Sequence, residues 1–252
     1  MWTELLEDLD LQHGEPELEA SFFVGDAGGR AATTKRKADH ACSDRDFAAN
    51  VGIDFKTPEE FFYKEAPFPF TRTLEPSDYL HTEVPTSTDV TPIVFEKRSK
   101  LDLVIMCGSP ASGKSTFYST KLKPLSYERV NQDILKSREK CVKSATSLLT
   151  KAVSVAVDNT NADRETRAVW INLATKFNIP IRCIHFAASA KLCEHNDTVR
   201  ALASNDGIGK FNPEKRTILP HSAFAGFASR YQRPKLGEGF QDIVEVHFQV
   251  GF

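Results

Sequence analysis

Residues 101–116 read LDLVIMCGSPASGKST, seven mostly apolar residues that run straight into a glycine-bounded loop closed by Lys114, Ser115 and Thr116. A short apolar run stopped by glycine predicts a buried strand, a tight turn and then a helix. Gly108, Gly113, Lys114 and Ser115 satisfy the phosphate-loop spacing G-x-x-x-x-G-K-[ST], with the strand in front and the helix behind that the chemistry requires. The two glycines let successive backbone N–H groups converge on a phosphate, and the helix adds the positive end of its dipole. On this reading Gly108, Ser109, Ala111, Ser112, Gly113, Lys114, Ser115 and Thr116 line the phosphates of ATP, Lys114 reaches the β- and γ-phosphates, and Ser115 ligates Mg²⁺. The plainer alternative is a glycine-rich turn carrying a solvated lysine.

Downstream, strands expected near residues 127–130, 153–157, 181–186 and 243–248 alternate with helices from 114, over 134–149, over 164–177 and over 190–203. That alternation predicts an α/β fold of the P-loop NTPase type, a mostly parallel sheet with helices on both faces and ligands at the carboxyl ends of its strands. Two polar clusters fall at those ends, Asn131-Gln132-Asp133 and Asp158-Asn159-Thr160-Asn161. Asp133 is a candidate general base beside a γ-phosphate, or else the N-cap of a helix starting at Ile134. Asp158 ends the apolar step Ala156-Val157 as a metal-holding Walker B acid does, or caps a turn. Asn159, Thr160 and Asn161 supply donors suited to phosphate or sugar. Phe224, Phe227 and Tyr231 either stack on a base or belong to the core.

Upstream, Trp2, Leu5, Leu6, Leu9 and Leu11 are spaced for a short amphipathic helix, and Ser21-Phe22-Phe23-Val24 reads as a buried strand ending at Gly25-Asp26. Ser43-Asp44-Arg45 opens a helix over 46–51. Asp26 and Asp44 are placed to share Mg²⁺ through carboxylate oxygens, or to cap a turn and a helix respectively. Pro67, Pro69, Pro76, Pro85 and Pro92 forbid a long helix across 66–99, which reads as a linker or an extended crossing segment. Three divisions follow: 1–65, the Pro-rich linker 66–99, and 100–252.

The net charge of −2 conceals an asymmetry: residues 1–100 hold 11 Lys+Arg against 20 Asp+Glu, and residues 101–252 hold 21 against 14. A basic second half suits a polyanionic partner, and serves solubility equally well. Cys42, Cys107, Cys141, Cys183 and Cys193 show no paired metal-ligand spacing and are expected to be reduced thiols. No run approaches the length that spans a bilayer, and no secretory h-region precedes a small-residue cleavage site, so no membrane partner is expected.

Two groups of motifs carry a family resemblance. SFFVGDAGGR (21–30), CSDRDFAANVGIDF (42–55) and TPEEFF (57–62) resemble the last third of the phosphatase domain of the eukaryotic polynucleotide kinase 3′-phosphatase family, a haloacid-dehalogenase-type fold. GSPASGKST (108–116), RVNQDILKSREKCV (129–142), VAVDNTNAD (155–163), EHNDTVR (194–200) and PKLGEGF (234–240) resemble, in order, that family's 5′-kinase domain. The resemblance implies an ATP- and Mg²⁺-dependent kinase acting on the 5′-hydroxyl ends of DNA, with RNA ends open as well, in strand-break repair. It makes Asp133 the residue that activates the hydroxyl, Lys114 and Ser115 the ATP and Mg²⁺ ligands, and Arg200 a lid arginine acting on the transferring phosphoryl group. Asp158 is expected to be a further Mg²⁺ ligand, and Asp26 and Asp44 match the phosphatase's acidic metal-site motif. Two departures stand out: Gln132 where relatives carry arginine, and Thr198 at the first of two lid-arginine positions. His195, on the same lid helix, is expected to pack or hydrogen-bond rather than transfer protons. The phosphatase nucleophile motif Asp-x-Asp-Gly-Thr does not occur upstream of Ser21, so 3′-phosphatase activity is expected to be absent, and Met1-Trp2 looks like an internal position of the family. Loss of sheet neighbours would leave Phe22, Phe23, Phe47, Phe55, Phe61 and Phe62 short of partners. A monomer in the nucleus is implied, Lys35-Arg36-Lys37 alone being too short for an import signal. A small-molecule P-loop kinase and a catalytically inactive nucleotide-binding module remain alternatives.

Overall fold

The computed structural model describes residues 2–11, 20–34, 36–72, 74–79, 95–202, 212 and 214–248. Met1, Lys35, Pro85, Pro92 and Ala203, invoked above, lie outside the described residues. Backbone contacts divide the chain into two units, Met1–Pro76 and Ser77–Phe252.

In the first unit, β1 (Phe22–Val24) pairs in parallel with β2 (Asp54–Lys56), Phe23 lying opposite Phe55. The helix Ser43–Val51 joins them and ends at Gly52, whose φ of 78° gives the left-handed cap that glycine adopts without strain. The helix starts three residues earlier than the expected 46. Cys42 is its N-cap residue, and Asp44 lies in its first turn rather than capping it. A further helix, Pro58–Phe62, opens on a capping box: Glu60 N donates to Thr57 Oγ1 at 3.3 Å and Thr57 N donates to Glu60 Oε2 at 2.6 Å. The polar centre of this unit is Arg30, 4% exposed, which donates from Nε to Asp39 at 2.8 Å and from Nη1 to Glu59 at 2.6 Å. The aromatics are better partnered than expected. Phe23 and the helix's Phe47 sit 5.1 Å apart, and Arg45 lies over both Phe55 and Phe70. Phe22 and Phe62 remain exposed.

The second unit is a five-stranded, fully parallel sheet in the order β4-β5-β3-β6-β7, formed by β3 (Leu103–Cys107), β4 (Glu128–Val130), β5 (Val155–Val157), β6 (Ile181–Phe186) and β7 (Ile243–Val246). The three inner strands are buried on both faces; β3 and β5 are the unbroken apolar runs that such burial favours, while β6 also buries Arg182 and His185. Alternate residues of β3 feed two cores. Leu103, Ile105 and Cys107 pack with Cys141, Ala145 and Leu149 of helix Arg138–Thr150 and with Trp170, Leu173 and Ala174 of helix Arg164–Lys176. Val104 and Met106 pack with Phe117, Leu122, Tyr127 and Phe186 on the other face. Phe95 joins that second core, with the Arg182 guanidinium 4.2 Å above its ring, so the last residues of the stretch read as a linker are part of this unit.

The expected helix 134–149 is two helices. Gln132–Leu135 ends at Lys136, whose φ is 72°, and Arg138–Thr150 starts again behind Ser137. Each has its own cap, Asn131 Oδ1 accepting from Ile134 N and Ser137 Oγ accepting from Lys140 N. Asn131 takes the capping position suggested for Asp133. The closing strand is shorter than 243–248, and the segment rich in small residues before it contains a helix, His221–Arg230. The five cysteines are free and buried. Among the described residues no helix is long and apolar enough to cross a membrane.

Candidate active site

The phosphate loop lies at the carboxyl end of β3, at the point where the chain first moves to one side of the sheet and later crosses to the other. Ala111 at φ 56° and Gly113 at φ 96° bend the loop back on itself, and Phe117 N donates to Gly113 O to start the helix Lys114–Phe117. Gly108 is fixed by space: a Cβ there would lie 2.8 Å from both Phe186 Cβ and Ser112 Oγ. Its N–H is tied to Thr160 O at 3.1 Å, which joins the loop to the segment after β5.

Lys114 is 8% exposed and turns its ammonium back into the loop, donating to Gly108 O at 3.0 Å, Ser109 O at 2.5 Å and Ser112 Oγ at 3.3 Å. Burial pushes its pKa down to about 8, against the pull of the Asp158 charge. A cation held only by neutral oxygens in a dry loop is under-compensated, and a phosphate is the group that would satisfy it.

Beside it, Ser115 Oγ donates to Asp158 Oδ2 at 2.9 Å, and Asp158 is 2% exposed. Arg129 from β4 completes this cluster. Its Nε reaches Asp158 Oδ2 at 2.7 Å, its Nη2 reaches the same oxygen at 2.5 Å, and Nη2 also donates to Ser115 Oγ at 3.0 Å. A hydroxyl and a buried carboxylate that already gather positive charge have the hard-oxygen chemistry Mg²⁺ takes, with substrate phosphates as the remaining ligands. Ser115 and Asp158 therefore fit the metal.

Asp133 sits in the first turn of the helix Gln132–Leu135, exposed, with Oδ2 3.4 Å from Arg216 Nη2. Arg216 is bound in turn by Glu214 at 2.5 Å, and the other oxygen of Glu214 holds Arg129 Nη1 at 2.5 Å. A chain of charges therefore runs from Asp158 through Arg129, Glu214 and Arg216 to Asp133. Arg129 opens the stretch RVNQDILKSREKCV, but no local pattern marks its pairing with Glu214, 85 residues away, and Arg216 and Glu214 lie outside the motifs quoted above.

Other expected site residues serve the scaffold. Asn161 is 1% exposed, donates to Met106 O at 2.8 Å and accepts from Trp170 Nε1 at 3.1 Å. Its amide is thus occupied in pinning the loop to β3 rather than turned to a phosphate or sugar. Asn159 Oδ1 accepts from Gln132 N at 2.8 Å. Glu238, the acid of the PKLGEGF motif, forms a two-pronged pair with the fully buried Arg167 at 2.8 Å on each side. Arg167 also binds the carbonyls of Asn161, Ala162 and Gln232. Phe224 is core, while Tyr231 meets the buried His185 through its hydroxyl at 2.6 Å. The helix Ala190–Leu202, expected to be the lid, carries Arg200, whose Nη2 bonds the buried Asp197 on the same helix, and Asp197 Oδ2 also accepts from Leu219 N at 2.7 Å. His195 is exposed.

In the first unit, Asp26 is exposed and Asp44 Oδ2 accepts from Ala27 N at 3.0 Å, so both acids flank the turn after β1. A Cβ on Gly25 would meet Asp44 Oδ2 at 2.3 Å, so glycine is what admits that carboxylate.

Comparison with known families agrees with this geometry. The AAA domain family matches residues 103–234, more than half of the chain. The chain belongs to the AAA domain family. The matched span of the AAA domain takes in the phosphate loop, Asp133, Asp158 and the helix Ala190–Leu202. A second family, Polynucleotide kinase 3 phosphatase, matches residues 1–62. The chain is 39% identical over 252 residues to a bifunctional polynucleotide phosphatase/kinase of Schizosaccharomyces pombe, covering 99% of this chain and 56% of that protein. It is 32% identical over 242 residues to a putative bifunctional polynucleotide phosphatase/kinase of Acanthamoeba polyphaga mimivirus, covering 90% of this chain and 55% of the relative. The chain spans about half the length of these curated relatives.

Proposed function

We propose that this chain transfers the γ-phosphoryl group of ATP to the 5′-hydroxyl of a polynucleotide end, DNA foremost, with the choice between DNA and RNA ends left open. The observation that carries the reading is the convergence, at the carboxyl ends of β3, β4 and β5, of a buried lysine in a phosphate loop, the Ser115–Asp158 pair and the exposed carboxylate of Asp133. Likeness to two proteins named as polynucleotide phosphatase/kinases supports the choice of acceptor.

The backbone N–H groups of 113–116 and the Lys114 ammonium bind the phosphates. Ser115 and Asp158 would hold Mg²⁺, which when bound neutralises phosphate oxygens and aligns them for attack. Asp133 is open to solvent, within reach of an incoming acceptor, and accepts the proton of the attacking hydroxyl. Arg200 supplies positive charge to the transferring group once its bond to Asp197 is exchanged for phosphate oxygens. Catalysis on this account is positioning and electrostatics, with no covalent enzyme intermediate. Mg²⁺ at Asp26 and Asp44, action in strand-break repair, a nuclear location and a monomeric state are parts of the same proposal and rest on the family resemblance.

The distinguishing experiment compares acceptors. The reading expects kcat/KM to rise steeply from a nucleoside to a 5′-hydroxyl oligonucleotide, whereas equal use of nucleoside and oligonucleotide would point to a small-molecule kinase. Binding of ATP with no transfer to any acceptor would leave a nucleotide-binding module.

A further inference from the structure

Arg129 faces the edge of the site where a metal would bind. Its guanidinium lies on the Asp158 oxygen that also accepts from Ser115 Oγ, and it occupies a lone pair of that same hydroxyl. Asp158 is buried, and a buried carboxylate demands a counter-charge. Within this cluster the counter-charge is the chain's own guanidinium, 15% exposed and lying 5.6 Å from the Tyr118 ring. Two cations cannot share one carboxylate oxygen in a partly dry site without strong repulsion. The remaining arm of the guanidinium, Nη1, is already bound by Glu214, a residue 36% exposed that also carries Arg216. Arg129 can therefore leave Asp158 without losing every anionic partner.

We propose that Arg129 is an internal counter-cation that guards the Ser115–Asp158 edge and exchanges there with Mg²⁺, pivoting on Glu214. Arg129 is thus a positioning residue: it keeps the carboxylate paired and aimed until the metal arrives, and it sets how much Mg²⁺ is needed to displace it. The inference rests on the reading of Ser115 and Asp158 as metal ligands in the proposed kinase.

The test is binding of a fluorescent ADP to the 252-residue chain as MgCl₂ is titrated, with thermal unfolding run in parallel. Arg129→Gln should lower the Mg²⁺ midpoint about tenfold, a change of the size that one lost charge contact makes. The same variant should melt earlier without Mg²⁺, because Asp158 loses its paired guanidinium, and should recover more stability than wild type when MgCl₂ and ADP are added. Arg129→Lys keeps the charge but loses the two-pronged geometry, and its midpoint should fall between the two. Glu214→Gln weakens the alternative anchor and should raise the midpoint. An unchanged or raised midpoint in Arg129→Gln overturns the inference. If that variant does not fold, midpoints of Arg129→Lys and Glu214→Gln equal to wild type overturn it. Failure of the kinase reading looks different: wild type would bind Mg·ADP and the variants would shift the midpoint as described, yet wild type would transfer nothing to an oligonucleotide.

Discussion

Nucleotide binding should be coupled to proton uptake through Lys114. Burial lowers its pKa to about 8, with the carboxylate of Asp158 opposing that effect. The sign follows directly. The nucleotide-free protein binds this proton fully only below pH 8, whereas a triphosphate within reach of the ammonium favours the charged form and raises its pKa. Between those two values binding must take up a proton. With a pKa of about 8 in the free protein, uptake should be about 0.1 proton per nucleotide at pH 7, about 0.5 at pH 8 and about 0.9 at pH 9. Linkage also requires affinity to fall about tenfold between pH 7 and pH 9, because only the protonated fraction of free protein is ready to bind. Isothermal titration calorimetry with Mg·ADP, in pairs of buffers that differ in ionisation enthalpy, measures the uptake directly. Lys114→Arg, which stays charged throughout, should show no uptake at any of these pH values. Uptake near zero for wild type at pH 8 and 9, or a pH profile shared by Lys114→Arg, would refute the argument that burial holds this ammonium on the edge of neutrality.

Four further outcomes are expected. Gly108→Ala should weaken ADP binding strongly in fluorescence titration and cost about 1–3 kcal/mol in urea unfolding, since its methyl group would press on Phe186 and Ser112 at 2.8 Å. Arg167→Met should cost about 3–5 kcal/mol in the same unfolding assay, because Glu238 and three carbonyls lose a fully buried donor. Arg200→Ala should lower turnover with little change in KM for ATP, and an unchanged kcat would remove Arg200 from the mechanism. Asp133→Asn should abolish turnover while leaving Mg·ADP affinity within about twofold of wild type, since Asp133 is exposed and bonded only at its edge to Arg216.

The parts of this molecule legible in its sequence are those that depend on neighbours in the chain. The phosphate loop, Asp158 at the end of an apolar step and the order of strands and helices each follow from local pattern, and each has its place in the parallel sheet. What escaped notice depends on distant partners. Arg167 reads as an ordinary helical arginine until the chain returns 71 residues later with Glu238. Arg129 sits on an edge strand three residues long, and its meaning comes from Asp158, Ser115 and Glu214. The break at Lys136 was concealed by continuous helical periodicity. Its local signal was the serine at 137 set to cap a fresh helix, which outweighed the cost of placing a lysine at positive φ. Helix His221–Arg230 was hidden by Gly226 and a run of small residues whose pattern resembles a loop.

The measurement closest to the central claim is transfer of labelled γ-phosphate from ATP to a 5′-hydroxyl oligonucleotide, run beside Lys114→Ala and Asp133→Asn. The account expects label on the oligonucleotide with wild type and none with either variant, in the presence of MgCl₂. Absence of label with a wild-type chain that binds Mg·ADP, or label that persists in Asp133→Asn, would contradict it.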